Sequence, residues 1–106
     1  MTTWAIDYDG TWTADPEAVA AFAALLRRRG HRVIVVTARA SGHGEVMREA
    51  SAHVDRVLFS GPTLKAVYAA SQGESVQVWL EDNPEMVGSD VDVVRWKMSQ
   101  LGEGDR

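Results

Sequence analysis

Residues 4–13 read Trp4-Ala5-Ile6-Asp7-Tyr8-Asp9-Gly10-Thr11-Trp12-Thr13, a short apolar run that leads into two carboxylates and then a glycine. Side chains two apart in an extended strand point to the same side. Asp7 and Asp9 are therefore predicted to converge where the strand ends, and Gly10 allows the backbone to turn there. Two like charges this close are tolerated when a divalent cation lies between them, or when one carboxyl keeps its proton. The alternative is an Asx-turn that only closes the strand at the surface.

The composition is that of a globular protein with a single domain. The chain has 106 residues, of which 45% are hydrophobic and 25% are charged, and this length fits one domain. The net charge of −4 gives no reason to expect binding to duplex nucleic acid. The absence of cysteine excludes disulfides, thiolate metal sites and a cysteine nucleophile. No signal peptide or membrane span is indicated, so a cytoplasmic protein is expected.

Strands and helices are predicted to alternate along the chain. The predicted strands cover residues 3–8, 33–36, 54–59, 76–80 and, as an edge strand, 91–96. Predicted helices begin at Pro16, with Asp15 as the N-cap, at Glu45 and after Thr63. This alternation predicts an α/β, three-layer Rossmann-like domain with a mainly parallel five-stranded sheet. The domain is predicted to occupy residues 1–98, followed by a flexible C-terminal tail over residues 99–106.

Reactive side chains gather immediately after the predicted strands. In an open parallel sheet the ligand-binding crevice lies outside the carboxyl ends of the strands, so side chains that follow different strands can reach the same crevice. The side chains placed in this way are Asp7 and Asp9 after the first strand, Thr37 after the second, Lys65 at the start of the helix after the third, and Glu81 and Asp82 after the fourth.

The chemistry of this set indicates a phosphoryl-transfer site. Several carboxylates that face one another need a cation, and their hard oxygens suit Mg²⁺ rather than zinc. A lysine ammonium and a threonine hydroxyl suit the oxygens of a phosphoryl group. An ionised aspartate can attack phosphorus to give an aspartyl-phosphate, and a second carboxyl can protonate the leaving group and then activate water.

At these residues the chain resembles the haloacid dehalogenase (HAD) superfamily of phosphohydrolases. The matching segments, in chain order, are Asp7-Tyr8-Asp9-Gly10-Thr11, Val35-Val36-Thr37-Ala38-Arg39, Lys65, and Leu80-Glu81-Asp82-Asn83-Pro84. The resemblance covers residues 1 to about 97 and is closest to small members that have no cap domain. It implies an Mg²⁺-dependent phosphatase that acts on phosphate monoesters through an aspartyl-phosphate intermediate.

The resemblance also implies a role for each catalytic residue. Asp7 would be the nucleophile and a metal ligand, and Asp9 would be the general acid and base and bind Mg²⁺ through its backbone carbonyl. Thr37 would hydrogen-bond a phosphoryl oxygen. Lys65 would neutralise charge between Asp7 and the phosphoryl group.

Two departures from the family pattern affect the metal site and the substrate. The fourth motif is often a pair of aspartates, whereas here it is Glu81 followed by Asp82; both are candidate metal residues, and Asp82 is favoured as the direct ligand. No cap insert follows the first or third motif. The open crevice implies a phosphorylated small molecule, or a large substrate such as a polymer end or protein side chain, or else closure by a partner.

Other interpretations stay open at this stage. A weakly active or non-catalytic HAD-like binding module is the main alternative. A phospho-receiver domain is disfavoured because its acceptor aspartate ends the third strand, where this chain has Leu58-Phe59-Ser60. Trp12 is expected to pack in the core, with substrate stacking as the alternative. The lone histidines His43 and His53 are expected at the surface or at helix ends, since neither has ligand-like spacing.

Overall fold

Strands and helices alternate along the chain in the computed structural model, which describes residues 1–40 and 44–104. The four strands are β1 (Thr3–Ile6), β2 (Arg32–Thr37), β3 (Arg56–Phe59) and β4 (Val78–Leu80). The four α-helices in these described ranges are α1 (Pro16–Arg28), α2 (Gly44–Ala50), α3 (Lys65–Ser71) and α4 (Asp90–Gly104). The α/β class is therefore confirmed. Across the described ranges no helix is both long and apolar enough to cross a membrane.

All the strands form one parallel sheet in the order β3-β2-β1-β4. From β1 the chain moves outward through β2 to β3, and it then crosses to β4 on the opposite side of β1. The direction of strand addition therefore reverses at β1. The loops that follow β1 and β4 begin on either side of this switch point. In open α/β sheets such a switch point opens a crevice at the carboxyl ends of the strands.

The sheet is covered on both faces. In β2 the alternating residues Val33 and Val35 join one apolar cluster, while Ile34 and Val36 join another. The first cluster contains buried residues of α1 and α2, and the second contains Ala69 of α3. This confirms that the continuous β-branched run forms a parallel strand buried on both faces.

Helix α1 begins as the sequence predicts. The Asp15 side chain accepts a hydrogen bond from the backbone N–H of Ala18 (3.1 Å), and Pro16 occupies the first turn. Gly30 follows the helix with a φ of +86°, a left-handed conformation that glycine adopts without steric cost. Local capping chemistry thus fixes both ends of the helix.

The predicted fifth strand over residues 91–96 is wrong, because these residues lie in α4. The Ser89 backbone N–H and hydroxyl both donate to the Asp92 carboxylate (2.7 and 2.9 Å), and the Asp92 N–H donates back to the Ser89 hydroxyl (3.3 Å). This reciprocal capping box starts a helix, and the sheet has four strands in the described residues. Residues 99–104, expected in the tail, continue α4, while residues 105 and 106 lie outside the described part of the chain.

An ion-pair cluster ties together the end of the sheet opposite the crevice. The Glu74 carboxylate accepts two hydrogen bonds from Arg32 at the start of β2 (both 2.9 Å) and one from Arg56 at the start of β3 (3.0 Å). The Glu74 side chain is almost fully buried. Its hydrogen bonds to Arg32, reinforced by those to Arg56, hold the pKa of Glu74 below its usual value of 4.5.

Replacing Glu74 with glutamine is expected to lower the free energy of unfolding by about 1–3 kcal/mol, because two charged hydrogen-bond donors lose an ionised acceptor. Folding favours the ionised carboxylate, so its contribution is present above pH 4.5 and is lost as the pH falls through the lower folded pKa. Denaturant titrations should therefore show the difference between wild type and Glu74→Gln shrinking as the pH falls below 4.5. The exposed Glu85→Gln is the matched control, and an equal loss in both variants would contradict the assignment.

Candidate active site

Four of the predicted site residues meet where β1 and β4 end. Asp7 directly follows β1, and its backbone N–H donates to the Leu80 carbonyl at the end of β4 (2.9 Å). Glu81 and Asp82 come next after β4, and Lys65 is the first residue of α3. The switch point of the sheet therefore brings residues from three separate chain segments to one place.

The Lys65 ammonium lies between two carboxylates. Its Nζ donates to Asp7 Oδ1 at 2.6 Å and to Glu81 Oε1 at 2.5 Å. The side chains of Lys65, Asp7 and Glu81 are only 3%, 6% and 5% exposed. Burying one charge alone would be costly, but close opposite charges with hydrogen bonds offset that cost. The three side chains consequently form a single buried ionic unit.

Asp82 adds a third carboxylate to this unit. Asp7, Glu81 and Asp82 each offer one oxygen, and these oxygens lie within 4.8 Å of one another. When all three acids are ionised, the cluster together with the Lys65 ammonium has a net charge of −2. Carboxylate oxygens are the donors that Mg²⁺ and Ca²⁺ prefer, so both the donor set and the charge balance fit a divalent cation.

Burial raises the pKa of Asp7 from 3.8 to about 7, although the hydrogen bond from Lys65 opposes the rise. The neighbouring Asp82 and Glu81 carboxylates raise it further. The pKa of the exposed Asp82 is lowered instead, chiefly by its hydrogen bond with Asp7. The inner acid Asp7 therefore holds a proton more tightly than the outer acid Asp82.

Gly10 allows the loop after β1 to pass against Asp82. Its φ is +83°, and a Cβ at this position would lie 2.2 Å from Asp82 Oδ2. The turn is closed by hydrogen bonds from the Trp12 N–H to the Asp7 carbonyl (3.1 Å) and from the Gly10 N–H to the Thr13 hydroxyl (3.0 Å). The segment does form a turn, but Asp7 is buried beside Lys65, which a simple surface turn does not require.

The structure separates the two aspartates of the first motif. Whereas the Asp7 carboxylate joins the acidic cluster, that of Asp9 is paired with the Arg39 guanidinium, through Nε at 2.9 Å and Nη2 at 2.8 Å. The guanidinium also lies over the Tyr8 ring, with its central carbon 5.3 Å from the ring centroid. The sequence did not predict this pair, which joins positions 30 apart in the chain.

Thr37 lies beneath the rim of the site. Its side chain is buried, and its hydroxyl accepts a hydrogen bond from the Arg39 backbone N–H (3.3 Å). Its neighbour Ala38 lines the crevice. The structure thus places Thr37 at the predicted strand end, and a contact with a phosphoryl oxygen stays a prediction.

Trp12 packs in the core as expected. It is 1% exposed and belongs to the apolar cluster on the α1 side of the sheet, with the His53 ring 6.1 Å from its own. Substrate stacking by a ring so fully buried is excluded in this conformation. His53 is exposed, as the sequence predicted, whereas His43 lies outside the described residues.

The site opens into a shallow crevice of about 200 Å³. Its lining consists of the residues Asp7, Asp9, Ala38, Lys65, Glu81, Asp82, Asn83 and Met86. A larger groove of about 430 Å³ lies between α3 and α4, but its lining brings together no comparable carboxylate cluster. The cluster of Asp7, Glu81 and Asp82 therefore lies in the smaller crevice and not in this groove.

Comparisons of the chain with models of protein families, with curated proteins and with solved structures found no match. The functional argument accordingly depends on the geometry of this crevice and on the motifs in the sequence.

Replacing Gly10 with alanine is expected to remove cation binding at the cluster, because the new Cβ must displace the Asp82 carboxylate. Gly30→Ala is the matched control: its φ is +86° and nothing lies within 4 Å of a Cβ there. Both variants should lose about 1–2 kcal/mol of stability from the left-handed backbone. Calorimetric titration with Mg²⁺ should show binding in Gly30→Ala and at least tenfold weaker binding in Gly10→Ala. Equal affinities would contradict the role given to Asp82.

Proposed function

We propose that this chain is a divalent-cation-dependent phosphomonoesterase in which Asp7 is the nucleophile. The observation that supports this best is the buried contact of the Lys65 ammonium with Asp7 and Glu81, beside a third carboxylate at the switch point of a parallel sheet. It joins three of the four motifs that resemble the HAD superfamily. We further propose that the domain is a Rossmann-like, capless member of that superfamily.

The proposed reaction has two displacements at phosphorus. In the first, a carboxylate oxygen of Asp7 attacks and the bond to the leaving oxygen breaks. Asp9, which must be protonated and released from Arg39 for this step, gives that oxygen a proton. In the second, Asp9 takes a proton from water as the water oxygen attacks the aspartyl-phosphate, and Asp7 departs as the carboxylate. Inorganic phosphate is released, and both aspartates return to their initial states.

Lys65 has two roles in this proposal. Before substrate binds, its ammonium supports the ionised form of Asp7 against the effect of burial. During transfer it offsets negative charge that gathers between the nucleophile and the phosphoryl oxygens. Its near-complete burial and its two carboxylate partners fix its position, so this charge is in place before the reaction begins.

We assign the bound cation to Asp7, Asp82 and the backbone carbonyl of Asp9, with Glu81 at the edge of the site. One oxygen of Glu81 is engaged by Lys65, and the other accepts a hydrogen bond from the Asn83 N–H (3.3 Å). Asp82 is exposed and faces Asp7, which suits a direct ligand. When bound, Mg²⁺ would neutralise the clustered carboxylates and the phosphoryl oxygens.

The substrate is proposed to be a phosphate monoester whose leaving group remains outside the crevice. The crevice is shallow, and only a short segment with a single 3₁₀ turn, Trp12–Ala14, separates the first motif from α1. A small molecule and the phosphorylated end of a polymer both satisfy this geometry.

Replacing Asp7 with asparagine is expected to abolish Mg²⁺-dependent hydrolysis of 4-nitrophenyl phosphate, lowering kcat by at least about 10³-fold, because an amide cannot form the acyl-phosphate. Circular dichroism and a denaturant titration should show that the variant is folded. Asp90→Asn, an exposed acid on α4, is the charge-matched control and should retain wild-type turnover. Excess chelator should abolish wild-type activity, and readdition of Mg²⁺ should restore it.

Unchanged turnover in Asp7→Asn would rule out the proposed nucleophile. A wild-type protein that binds Mg²⁺ at the cluster but hydrolyses none of a panel of phosphorylated metabolites, nucleotides and 3′-phosphorylated oligonucleotides would instead support the binding-module alternative.

A further inference from the structure

We propose that helix α4 pairs with α4 of a second copy of this chain, so that the protein forms a parallel homodimer. The interface is a row of apolar side chains on α4 that is exposed to solvent in the single chain. No described residue of α4 lines the crevice, so this pairing does not depend on the proposed phosphatase function.

Four residues form this apolar stripe, and each is more than half exposed. They are Val91 (56%), Val94 (53%), Met98 (65%) and Leu101 (70%). Their separations of three, four and three positions place them in one line along the helix. This is also the a and d spacing of a coiled coil, with Val91 and Met98 at a and Val94 and Leu101 at d. A contiguous exposed stripe, unlike scattered apolar residues, marks an interaction surface.

The opposite face of α4 is the one that packs on the domain. Among the described side chains of the helix, those that are half-buried are Asp92, Val93 and Trp96, which project from the side away from the stripe. From Lys97 to Leu101 every side chain is exposed, so this part of α4 extends into solvent. Short helical segments are marginal in water without tertiary packing. A second helix against the stripe supplies that packing.

The charges beside the stripe favour a second copy of α4 in parallel orientation. Asp90 occupies the g position before Val91, and Arg95 occupies the e position after Val94. In a parallel pair, a g residue lies beside the e residue five positions later on the other helix, so Asp90 of each copy meets Arg95 of the other. Both side chains are exposed, and neither has an ion-pair partner among the described residues. The dimer therefore gains two ion pairs.

Other occupants of the stripe are less well matched in charge. An antiparallel pair that covers the same stripe brings Arg95 and Lys97 of one helix beside Arg95 and Lys97 of the other, and such like charges repel. Helices that lie on membranes have polar faces rich in lysine and arginine. The first turn of α4 instead contains Asp90 and Asp92, and the chain has a net charge of −4.

The size of the stripe sets the strength of the association. A helix of 15 residues offers a seam of two heptads, which is small beside the roughly 800 Å² that each partner buries in a standard interface. The dimer is therefore expected to be weak, with a dissociation constant of about 10–100 µM.

Sedimentation equilibrium of the full chain, from about 5 µM to about 1 mM, should show the mass rising from 11.6 kDa toward twice this value. Met98→Glu places a charge in the seam and should weaken the association at least about tenfold. Ser99→Glu adds the same charge at the next exposed position, off the stripe, and should leave the dissociation constant unchanged. Circular dichroism and thermal melts should show that both variants are folded.

Three results of this experiment would overturn the interface. They are a wild type that stays monomeric at the highest concentration, a dimer that Met98→Glu does not weaken, and an equal loss of association in Met98→Glu and Ser99→Glu. The first result means that the stripe has an occupant other than a second copy, and the other two mean that the dimer forms elsewhere on the surface.

A charge exchange tests the parallel orientation. Asp90→Arg and Arg95→Glu each replace two attractive pairs by repulsive ones, and each should weaken the homodimer about fivefold at low salt, where exposed charges are little screened. An equimolar mixture of the two variants should associate within about twofold of the wild-type affinity, because the heterodimer again has two pairs of opposite charge. Changes within one chain cannot produce recovery on mixing, so a mixture that stays as weak as its components would overturn the parallel pairing.

Discussion

The buried ammonium of Lys65 is the constraint on which the arrangement of the site depends. A cation in the first turn of a helix meets the positive end of the helix dipole, an unfavourable position, and here it is also almost fully removed from water. It is stabilised by carboxylates that come from the ends of β1 and β4. The start of α3 is thereby bound to the switch point of the sheet, and the positions of Asp7 and Glu81 are fixed relative to each other.

The part of the fold that the sequence predicts is the part that local chemistry determines. The run Val33–Val36 contains only β-branched residues, and Asp15 followed by Pro16 satisfies the start of a helix, so both elements form as predicted. The segment 91–96 is predicted as an edge strand, although Val91, Val94 and Met98 recur at helical spacing. The pattern Ser89-x-x-Asp92 also matches a capping box. It therefore indicates the start of α4 more reliably than the β propensity of the valines indicates a strand.

The sequence predicts those parts of the site whose positions depend only on the order of strands in a parallel sheet. Asp7, Glu81 and Asp82 follow neighbouring strands, so their meeting needs only the alternation of elements and the rule for carboxyl ends. The partner of Asp9 was not predictable in this way. Side chains alternate between the two faces of a sheet only within a strand. Because β1 ends at Ile6, this alternation does not determine where the Asp9 side chain points. The orientation of the Asp9 side chain depends on the turn at Gly10 and on its pairing with Arg39, which lies in the loop after β2.

This separation of the two aspartates follows from the order of the strands. β4 lies on one side of β1 and β2 on the other, so the loop after β1 lies between two neighbouring loops of different charge. The loop after β4 contributes acids, and the turn at Gly10 leaves room for Asp82 beside Asp7. The loop after β2 contributes Arg39, which pairs with Asp9 at the rim. The proposed roles of Asp7 as a nucleophile shielded from water and of Asp9 as an acid nearer the surface would need such different surroundings. The loop after β1 can supply both because β1 has a neighbouring strand on each side.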